Sequence, residues 1–379
     1  MTAAENTSPE TLPAPAGGDV IDATDATDTT VPRRRRRAQA PRRNRAAVGL
    51  SALAVATLAL TACSDADAGS TEGDGAEDEV DSESSVITIE DDHGTHEIDV
   101  ETIDSVGAFD NHTFRTLEHF GVELTVAARS LMGTGITDYA EDEDILDTGN
   151  HREPNLELIV AAEPDLVING QRYSQYYDDI AALLPEDGVI LEFDEATTDA
   201  STYFEGLTEQ TEKLGQVFQS EDAAAGLVEE LDAAIERVET AYDGESTVMG
   251  LLTSGGDINY AGPNEGRGVA PIFQRFDLVP ALEVDDQSSD HEGDDISVEA
   301  IAQSNPDWII VLDRDGMAPE DPEYTPAQEL IADSPALQEV TAVQEDQIVY
   351  MPQNMYLTED IQAYTEFLED FADALESAE

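Results

Sequence analysis

Two arginines stand at matching positions in two similar stretches of the chain, each after a predicted buried strand. Arg172 lies seven residues after Asp165, and Arg314 lies seven residues after Asp307. A guanidinium stays charged and donates forked hydrogen bonds to oxygen atoms, so arginines in a cleft suit an anionic ligand. The alternative is that each arginine pairs with acidic side chains on the surface. The equivalent positions of the two favour the ligand role.

An internal repeat positions these arginines. Residues 155–168 and 297–310 each contain a glutamate seven positions before a Pro-Asp pair, followed by an apolar run. The apolar spacing before the pair predicts a helix that the proline ends, and the β-branched run predicts a buried parallel strand. Ligands of open α/β sheets bind at the carboxyl ends of such strands. The repeat therefore predicts two facing lobes of similar topology, or two units of one larger sheet.

A long amphipathic helix is predicted between the two repeats. Residues 221–242 contain no proline, and Val228, Leu231, Ile235 and Val238 recur every three or four residues. At 1.5 Å per residue this helix is about 30 Å long. The predicted fold class is α/β, with two Rossmann-like lobes of mainly parallel sheet joined by one long backbone helix.

Histidines near the start of the predicted fold are weaker candidates for a site. His93 and His96 fall in a predicted hairpin over residues 86–100, where we expect them to be exposed. His112 and His119 lie seven residues apart on a helix predicted after Phe109, with Asp110 or Asn111 as its cap. The aromatic residues Trp308, Phe114, Phe120 and Phe273 are expected in the core.

The charge of the chain is strongly negative. Six acidic and eight basic residues precede Cys63, out of 85 and 17 in all, which leaves 79 acidic and nine basic residues after it. Nucleic acid and anionic headgroups are poor partners for such a surface. Two explanations compete, disorder and a folded protein adapted to high salt. The apolar periodicity favours the second.

The first 62 residues have the features of an export signal. Five consecutive arginines (33–37) are followed by an uncharged, mostly apolar run over residues 46–62. This run is shorter than the about 20 residues of a membrane span. Leu60-Thr61-Ala62-Cys63 resembles the lipobox of prokaryotic lipoproteins, which implies that the Cys63 sulfur carries lipid; an ordinary buried cysteine beside an uncleaved anchor is the alternative. Residues 63–85 are expected to form an acidic, disordered tether.

The order and spacing of several phrases resemble a known family. The phrases "EPNLELIVAAEPDLVI", "LLTSGGDINYAGP", "NPDWIIVLDR" and "IVYMPQNMYL" are similar to the helix-linked (class III) solute-binding proteins of ABC transporters, in the ferric-siderophore branch and closest to its catecholate binders. The resemblance covers most of residues 86–379. It implies an N-terminal lobe over residues 86–220, a connecting helix over 221–243 and a C-terminal lobe over 244–379, with the ligand between the lobes.

The resemblance also implies a set of site residues. The arginines that face the anionic ligand match Arg172, Arg267 and Arg314, with one extra residue in each of the first two loops. The side chains that complete the iron coordination in some members match His291 and Tyr356. The resemblance further places His112 near the ligand. Tyr173, Tyr176 and Tyr177 follow Arg172 in the sequence, where we expect them at the mouth of the cleft. Ferric iron prefers oxygen ligands and tolerates imidazole, so a siderophore that offers four oxygens leaves two sites for such residues.

Two glutamates of the repeat are expected to have a different role. Glu157 and Glu299 fall in the first turn of each predicted helix, where negative charge suits the helix dipole. The resemblance implies that one glutamate per lobe docks on arginines of the membrane permease.

The sequence leaves other functions open. It contains no Gly-x-Ser-x-Gly elbow, no phosphate-binding loop and no zinc-type Cys/His cluster, which argues against an enzyme or an intrinsic cofactor. A divalent-metal binder is the nearest alternative within the fold, and cobalamin and haem binders share the fold. A lipoprotein sensor without a transport role is a further alternative. We expect the mature protein to be a monomeric lipoprotein on the outer face of the cell membrane, with a ferric siderophore and a permease as partners.

Overall fold

A computed structural model describes residues 85–133, 135–285 and 287–378. The leader, Cys63 and all but the last residue of the expected tether lie outside the described residues. None of the helices in the described part combines the length and the apolar character needed to cross a membrane.

The fold alternates strands and helices along most of its length. The strands are β1 (Val86–Asp91), β2 (Gly94–Asp99), β3 (Val106–Ala108), β4 (Leu124–Ala127), β5 (Leu146–Asp147), β6 (Leu166–Asn169), β7 (Val189–Glu192), β8 (Thr247–Ser254), β9 (Asp257–Tyr260), β10 (Val279–Pro280), β11 (Trp308–Asp313) and β12 (Ile348–Tyr350). The α-helices are α1 (Phe114–His119), α2 (Glu157–Ala162), α3 (Tyr177–Ala181), α4 (Glu195–Thr198), α5 (Tyr203–Val217), α6 (Glu221–Ala241), α7 (Ala270–Phe276), α8 (Val298–Ser304), α9 (Ala327–Asp333), α10 (Thr341–Gln344), α11 (Met355–Thr358) and α12 (Ile361–Ala378).

Two five-stranded sheets carry the two halves of the fold. The first has the order β5-β4-β3-β6-β7, and all its strands are parallel. The second has the parallel order β10-β8-β11-β12, with β9 antiparallel to β8. The α/β fold with mainly parallel sheets is therefore confirmed.

The second sheet is buried on both faces. Val248, Leu252 and Ile310 point into one apolar cluster, whereas Leu251 and Ile309 point into another. This alternation follows the two-residue period of a strand. It explains why β8 and β11 are continuous apolar runs, as expected of parallel strands covered by helices on both sides.

The two copies of the repeat fold alike. Each helix, α2 and α8, ends at a residue with left-handed backbone conformation, Glu163 (φ 46°) and Asn305 (φ 50°), directly before the proline. The carboxylate of Asp165 accepts hydrogen bonds from the backbone of residues 104 and 105 at 2.9 and 3.0 Å. The carboxylate of Asp307 accepts one from the Thr247 amide at 2.8 Å. In both copies the Pro-Asp pair thus fixes the start of the neighbouring strand.

Two helices connect the sheets. The predicted helix is present as α6, and its buried residues Leu227, Leu231 and Val238 pack with the second half of the chain. Helix α5 precedes it and contributes to both cores, with Leu207 in the C-terminal cluster and Leu214 in the N-terminal one. The connection is therefore helical, and α5 is the element that bridges the two cores.

Of the two elements predicted at the start of the fold, the hairpin is present and the helix begins later than expected. The predicted hairpin is confirmed as β1 and β2, with His93 exposed and His96 half-buried. The helix after Phe109 begins only at Phe114, so the prediction that His112 lies on it is wrong. The Asp110 carboxylate accepts a hydrogen bond from the backbone amide of His112 at 2.9 Å. This bond stabilises a turn ahead of the helix instead of capping it.

Candidate ligand-binding cleft

A cavity of about 910 Å³ lies between loops that follow strands of both sheets. One wall comes from the first sheet and contributes His112, His151, Gln171, Arg172 and Asp194. The other wall comes from the second half of the chain and contributes Arg267, His291 and Glu359. The site thus forms at the carboxyl edges of parallel strands, as the topology requires.

Arg172 is positioned by the turn that follows β6. The extra residue in this loop, Gln171, adopts a left-handed conformation (φ 52°), and its amide donates to the Asp194 carboxylate at 2.6 Å. Burial and the charge of Arg267 lower the pKa of Arg172. Its Nη1 atom is buried without a hydrogen-bond partner among the described residues. An N–H group left in this state favours a ligand that brings an oxygen acceptor.

Arg267 is fixed on the opposite wall. Its Nη2 donates to the Glu359 carboxylate at 2.5 Å, and its Nη1 lies 3.2 Å from Nδ1 of His291. Its guanidinium stacks over the ring of Tyr356 at 4.5 Å. Burial lowers the pKa of Arg267, but the Glu359 carboxylate and neighbouring groups outweigh burial and raise it overall. Its Nε has no partner among the described residues.

The two side chains matched to iron coordination lie side by side. The Tyr356 hydroxyl is 3.0 Å from Nδ1 of His291, although the two residues are 65 positions apart. First-row metal ions bind nitrogen and oxygen at about 2 Å, so two ligand atoms at a right angle around one ion lie about 3 Å apart. Burial and then Arg267, Arg172 and Arg314 lower the pKa of His291. Its imidazole is therefore kept neutral, which is the form that binds metals.

Arg314 lies beside Tyr356 and does not line the cavity. Its guanidinium is 5.6 Å from the Tyr356 ring, its Nη1 donates to Ser254 at 2.7 Å, and Asp315 lies 3.7 Å away. Arg314 follows β11 at the strand end, as predicted, but neither it nor its neighbour Tyr356 is among the residues that line the cavity.

Tyr173 does not line the cavity, contrary to the expectation from the sequence. Its ring is fully buried, stacks on Phe109 and lies outside the cavity. Its hydroxyl lies 2.9 Å from that of Thr148 and donates to the Gly149 carbonyl at 3.0 Å. The side chain alternates away from Arg172 because the two residues are adjacent in a tight helical turn. Tyr173 therefore stabilises the N-terminal core.

His112 lines the cavity from a buried position. Burial, together with Arg267 and Arg172, lowers its pKa to about 3. Its Nε2 is 3.4 Å from the Tyr203 hydroxyl, and its Nδ1 has no partner among the described residues. His119, its expected companion, is on α1 and does not line the cavity.

His151, Asp194 and Glu359 are among the cavity residues that were not anticipated from the sequence. Asp194 lies two residues after the end of β7. A polar residue just after a predicted strand is a signal that the sequence offers. His151 and Glu359 lie in loops without such a signal. Glu157 and Glu299 are exposed in the first turns of α2 and α8, as expected.

Comparisons with known proteins agree with this architecture. The family model described as periplasmic binding protein matches residues 106–355. The petrobactin-binding protein YclQ of Bacillus subtilis is 25% identical over 276 residues, which cover 72% of this chain and 82% of that protein.

Two solved structures share the fold. The siderophore-binding protein BauB, bound to a complex between two molecules of acinetobactin and ferric iron, aligns with a TM-score of 0.65 and 22% identity, over 76% of this chain and 98% of that one. The periplasmic catecholate-siderophore binding protein VctP of Vibrio cholerae aligns with a TM-score of 0.62 and 24% identity, over 77% and 99%.

Proposed function

The chain belongs to the periplasmic binding protein family, and on that basis we propose that it captures a ferric siderophore of the catecholate type for an ABC importer. Members of this family bind substrates and are not enzymes. The function is therefore reversible capture outside the cytoplasm, followed by delivery to a permease.

One observation carries the choice of ligand. Arg172 and Arg267, from opposite walls, converge on a cavity beside the His291–Tyr356 pair. Only nine basic residues follow Cys63, so two cationic side chains in one cavity are a large share of the positive charge. Ferric catecholate complexes are anionic and rich in oxygen acceptors, which matches both the charge and the unpartnered N–H groups of these arginines.

The residues around the cavity divide into three roles in this proposal. Arg172, Arg267 and His112 contact the siderophore. His291 and Tyr356 complete the iron coordination when the siderophore supplies four oxygens. Arg314 supports Tyr356 through its contact with the tyrosine ring.

The proposal extends to the rest of the chain. The N-terminal lobe spans residues 86–220, the connection 221–243 and the C-terminal lobe 244–379. Glu157 and Glu299, one per lobe, dock on the permease. Cys63 carries the lipid that holds this monomeric protein at the outer face of the membrane, and residues 63–85 are the tether.

Calorimetric titration of the soluble chain from Ser64 tests the ligand class. We expect a ferric bis-catecholate complex to bind with one-to-one stoichiometry in molar potassium chloride, and a ferric hydroxamate complex to bind at least tenfold more weakly. Cobalamin and haem are the competing ligands of the same fold. Binding of either of these, with no heat from ferric catecholate, would contradict the proposal.

A further inference from the structure

Two buried carboxylates, Asp110 and Glu192, lie beside the half-buried Asp194 at the wall of the cleft. Asp110 follows β3, and Glu192 and Asp194 lie at the end of β7. Asp110 is fully buried, and burial, followed by the charges of Asp194 and Glu192, raises its pKa. Among the described residues, neither Asp110 nor Asp194 forms an ion pair with lysine or arginine. Buried carboxylates are normally paired with a cation or coordinate a metal.

The hydrogen bonds of Asp110 and Asp194 leave one carboxylate oxygen of Asp194 without a partner among the described residues. Asp110 accepts from the His112 amide and from Gln210, each at 2.9 Å. Asp194 uses one oxygen for Ser174 and the Gln171 amide. Its other oxygen, Oδ1, is buried without a partner among the described residues. The donors on this side are all neutral, so none of them brings a positive charge to the two carboxyl groups.

A histidine completes the group. Nδ1 of His112 lies 3.9 Å from the Asp110 carboxylate, is buried and has no hydrogen-bond partner among the described residues. One ligand atom each from Asp110, His112 and Asp194 lie within 4.8 Å of one another. A common centre then lies within about 2.8 Å of all three atoms, against about 2.1 Å for a metal bond. Each ligand atom therefore has to move by about 0.7 Å to reach bonding distance.

The backbone makes room for this arrangement. Gly170 separates Asp110 from Asp194, and a Cβ at this position would lie 2.8 Å from Asp194 Oδ1 and 3.0 Å from Asp110 Cγ. Any larger residue would push the two carboxylates apart. His112 and Asp194 also line the cavity, so an ion can reach the group from the cleft.

We propose that Asp110, His112 and Asp194 form a second site, for a divalent transition-metal ion, in the N-terminal half of the fold; it shares only His112 with the proposed siderophore site. One imidazole and two carboxylates suit borderline ions such as Zn²⁺ better than alkali ions, which prefer oxygen alone. The site does not depend on the siderophore and does not use His291 or Tyr356. A metal here neutralises the buried carboxylates and fixes His112 at the wall of the cleft.

Calorimetric titration of the chelator-treated chain with Zn²⁺ tests the site, in molar potassium chloride with excess Mg²⁺ to occupy oxygen-only sites on the acidic surface. We expect one Zn²⁺ per chain. Asp194→Asn and His112→Gln should each lower the affinity at least tenfold. Asp199→Asn, which removes an exposed carboxylate from the same cavity, and His291→Ala should leave it unchanged.

Circular dichroism in the absence of metal identifies the variants that retain the fold. Because Asp194→Asn and His112→Gln are tested separately, either folded variant is enough to test the site. Absence of a saturable Zn²⁺ site above the Mg²⁺ background overturns the proposal. Unchanged affinity in a folded Asp194→Asn or His112→Gln variant also overturns it, as does loss of the site in His291→Ala, because that result places the ion at the siderophore site.

Discussion

The hydroxyl of Tyr356 lies 3.0 Å from Nδ1 of His291, and the guanidinium of Arg267 contacts both side chains. The tyrosine comes from α11 and the histidine from the loop that follows β10. Two potential iron ligands are thus held together by an arginine, and burial together with the charge of this arginine lowers the pKa of the imidazole. A site of this kind can accept an anionic iron complex without first losing a proton from histidine.

Tyr356→Phe should remove a phenolate ligand while leaving the ring that Arg267 and Arg314 stack on. We expect the visible absorption band of a bound ferric bis-catecholate to shift relative to wild type, with a moderate loss of affinity. A ferric complex whose siderophore already supplies six oxygens is the matched control, because it leaves no site for tyrosine. The same spectrum for wild type and variant with the four-oxygen complex would rule out coordination by Tyr356.

Gly170→Ala should destabilise the N-terminal half of the fold. The added methyl group meets Asp194 and Asp110 at 2.8 to 3.0 Å, and overpacking of this kind costs about 1–3 kcal/mol. Gly226→Ala is the matched control, because it lies within α6 with no atom within 4 Å of the new Cβ. Since alanine is the better helix former, this control should gain up to about 1 kcal/mol. Thermal unfolding measures both changes; equal effects would contradict the packing described around Gly170.

Asp360 should make stability depend on pH. Burial raises its pKa to about 6, although Arg115 at 3.2 Å opposes this shift. The pKa of this carboxyl is higher in the folded state than its ordinary value of 3.8. Such a group contributes its full stabilisation at pH values below 3.8, where it is protonated in both states. This contribution is lost as the pH rises through about 6.

The matched variant for this prediction is Asp360→Asn, which does not titrate. Between about pH 4 and pH 7 the free energy of unfolding of wild type should fall relative to that of the variant, by up to about 3 kcal/mol. Denaturant unfolding at several pH values in constant high salt measures the difference. A difference that stays constant over this range would show that Asp360 titrates normally.

Glu157→Arg combined with Glu299→Arg should separate capture from delivery. Both glutamates are exposed and lie outside the cavity, so the affinity for the ferric complex should not change. Uptake by cells that carry the permease should be abolished, because like charges would then face each other at the docking surface. Glu229→Arg with Glu339→Arg, at exposed positions elsewhere, is the control for charge reversal alone. Normal uptake by the first variant would refute the docking role.

Local signals in the sequence predicted much of this fold. The Pro-Asp pairs and the apolar runs after them predicted β6 and β11 because proline ends a helix and a buried parallel strand is apolar throughout. The same strands placed Arg172 at the cavity, whereas Arg314 follows its strand but does not line the cavity. The prediction for His112 was wrong because the Asp110 carboxylate bonds to the nearest amide and delays the helix to Phe114.

Contacts between loops that are distant in the sequence could not be predicted from local sequence patterns. Nothing local in the sequence links His291 to Tyr356 across 65 residues, and only the family resemblance paired them. His151 and Glu359 reach the cavity through tertiary packing, and Glu359 does so from a left-handed residue at the end of α11. Tyr173 was misassigned because a tight helical turn sends adjacent side chains in different directions, one into the cavity and one into the core.

The central claim is that cationic side chains from both walls hold an anionic ferric complex in the cleft. Calorimetric titration of Arg172→Ala and Arg267→Ala with ferric bis-catecholate in molar potassium chloride tests it most directly, with Arg237→Ala, on the surface with Asp373 and Glu376, as the control. Each charge-assisted pair contributes about 1.5–3 kcal/mol, so each cavity substitution should weaken binding by a factor of ten or more, and the control should bind as wild type does. Wild-type affinity in both cavity variants, or an equal loss in all three, would contradict the claim.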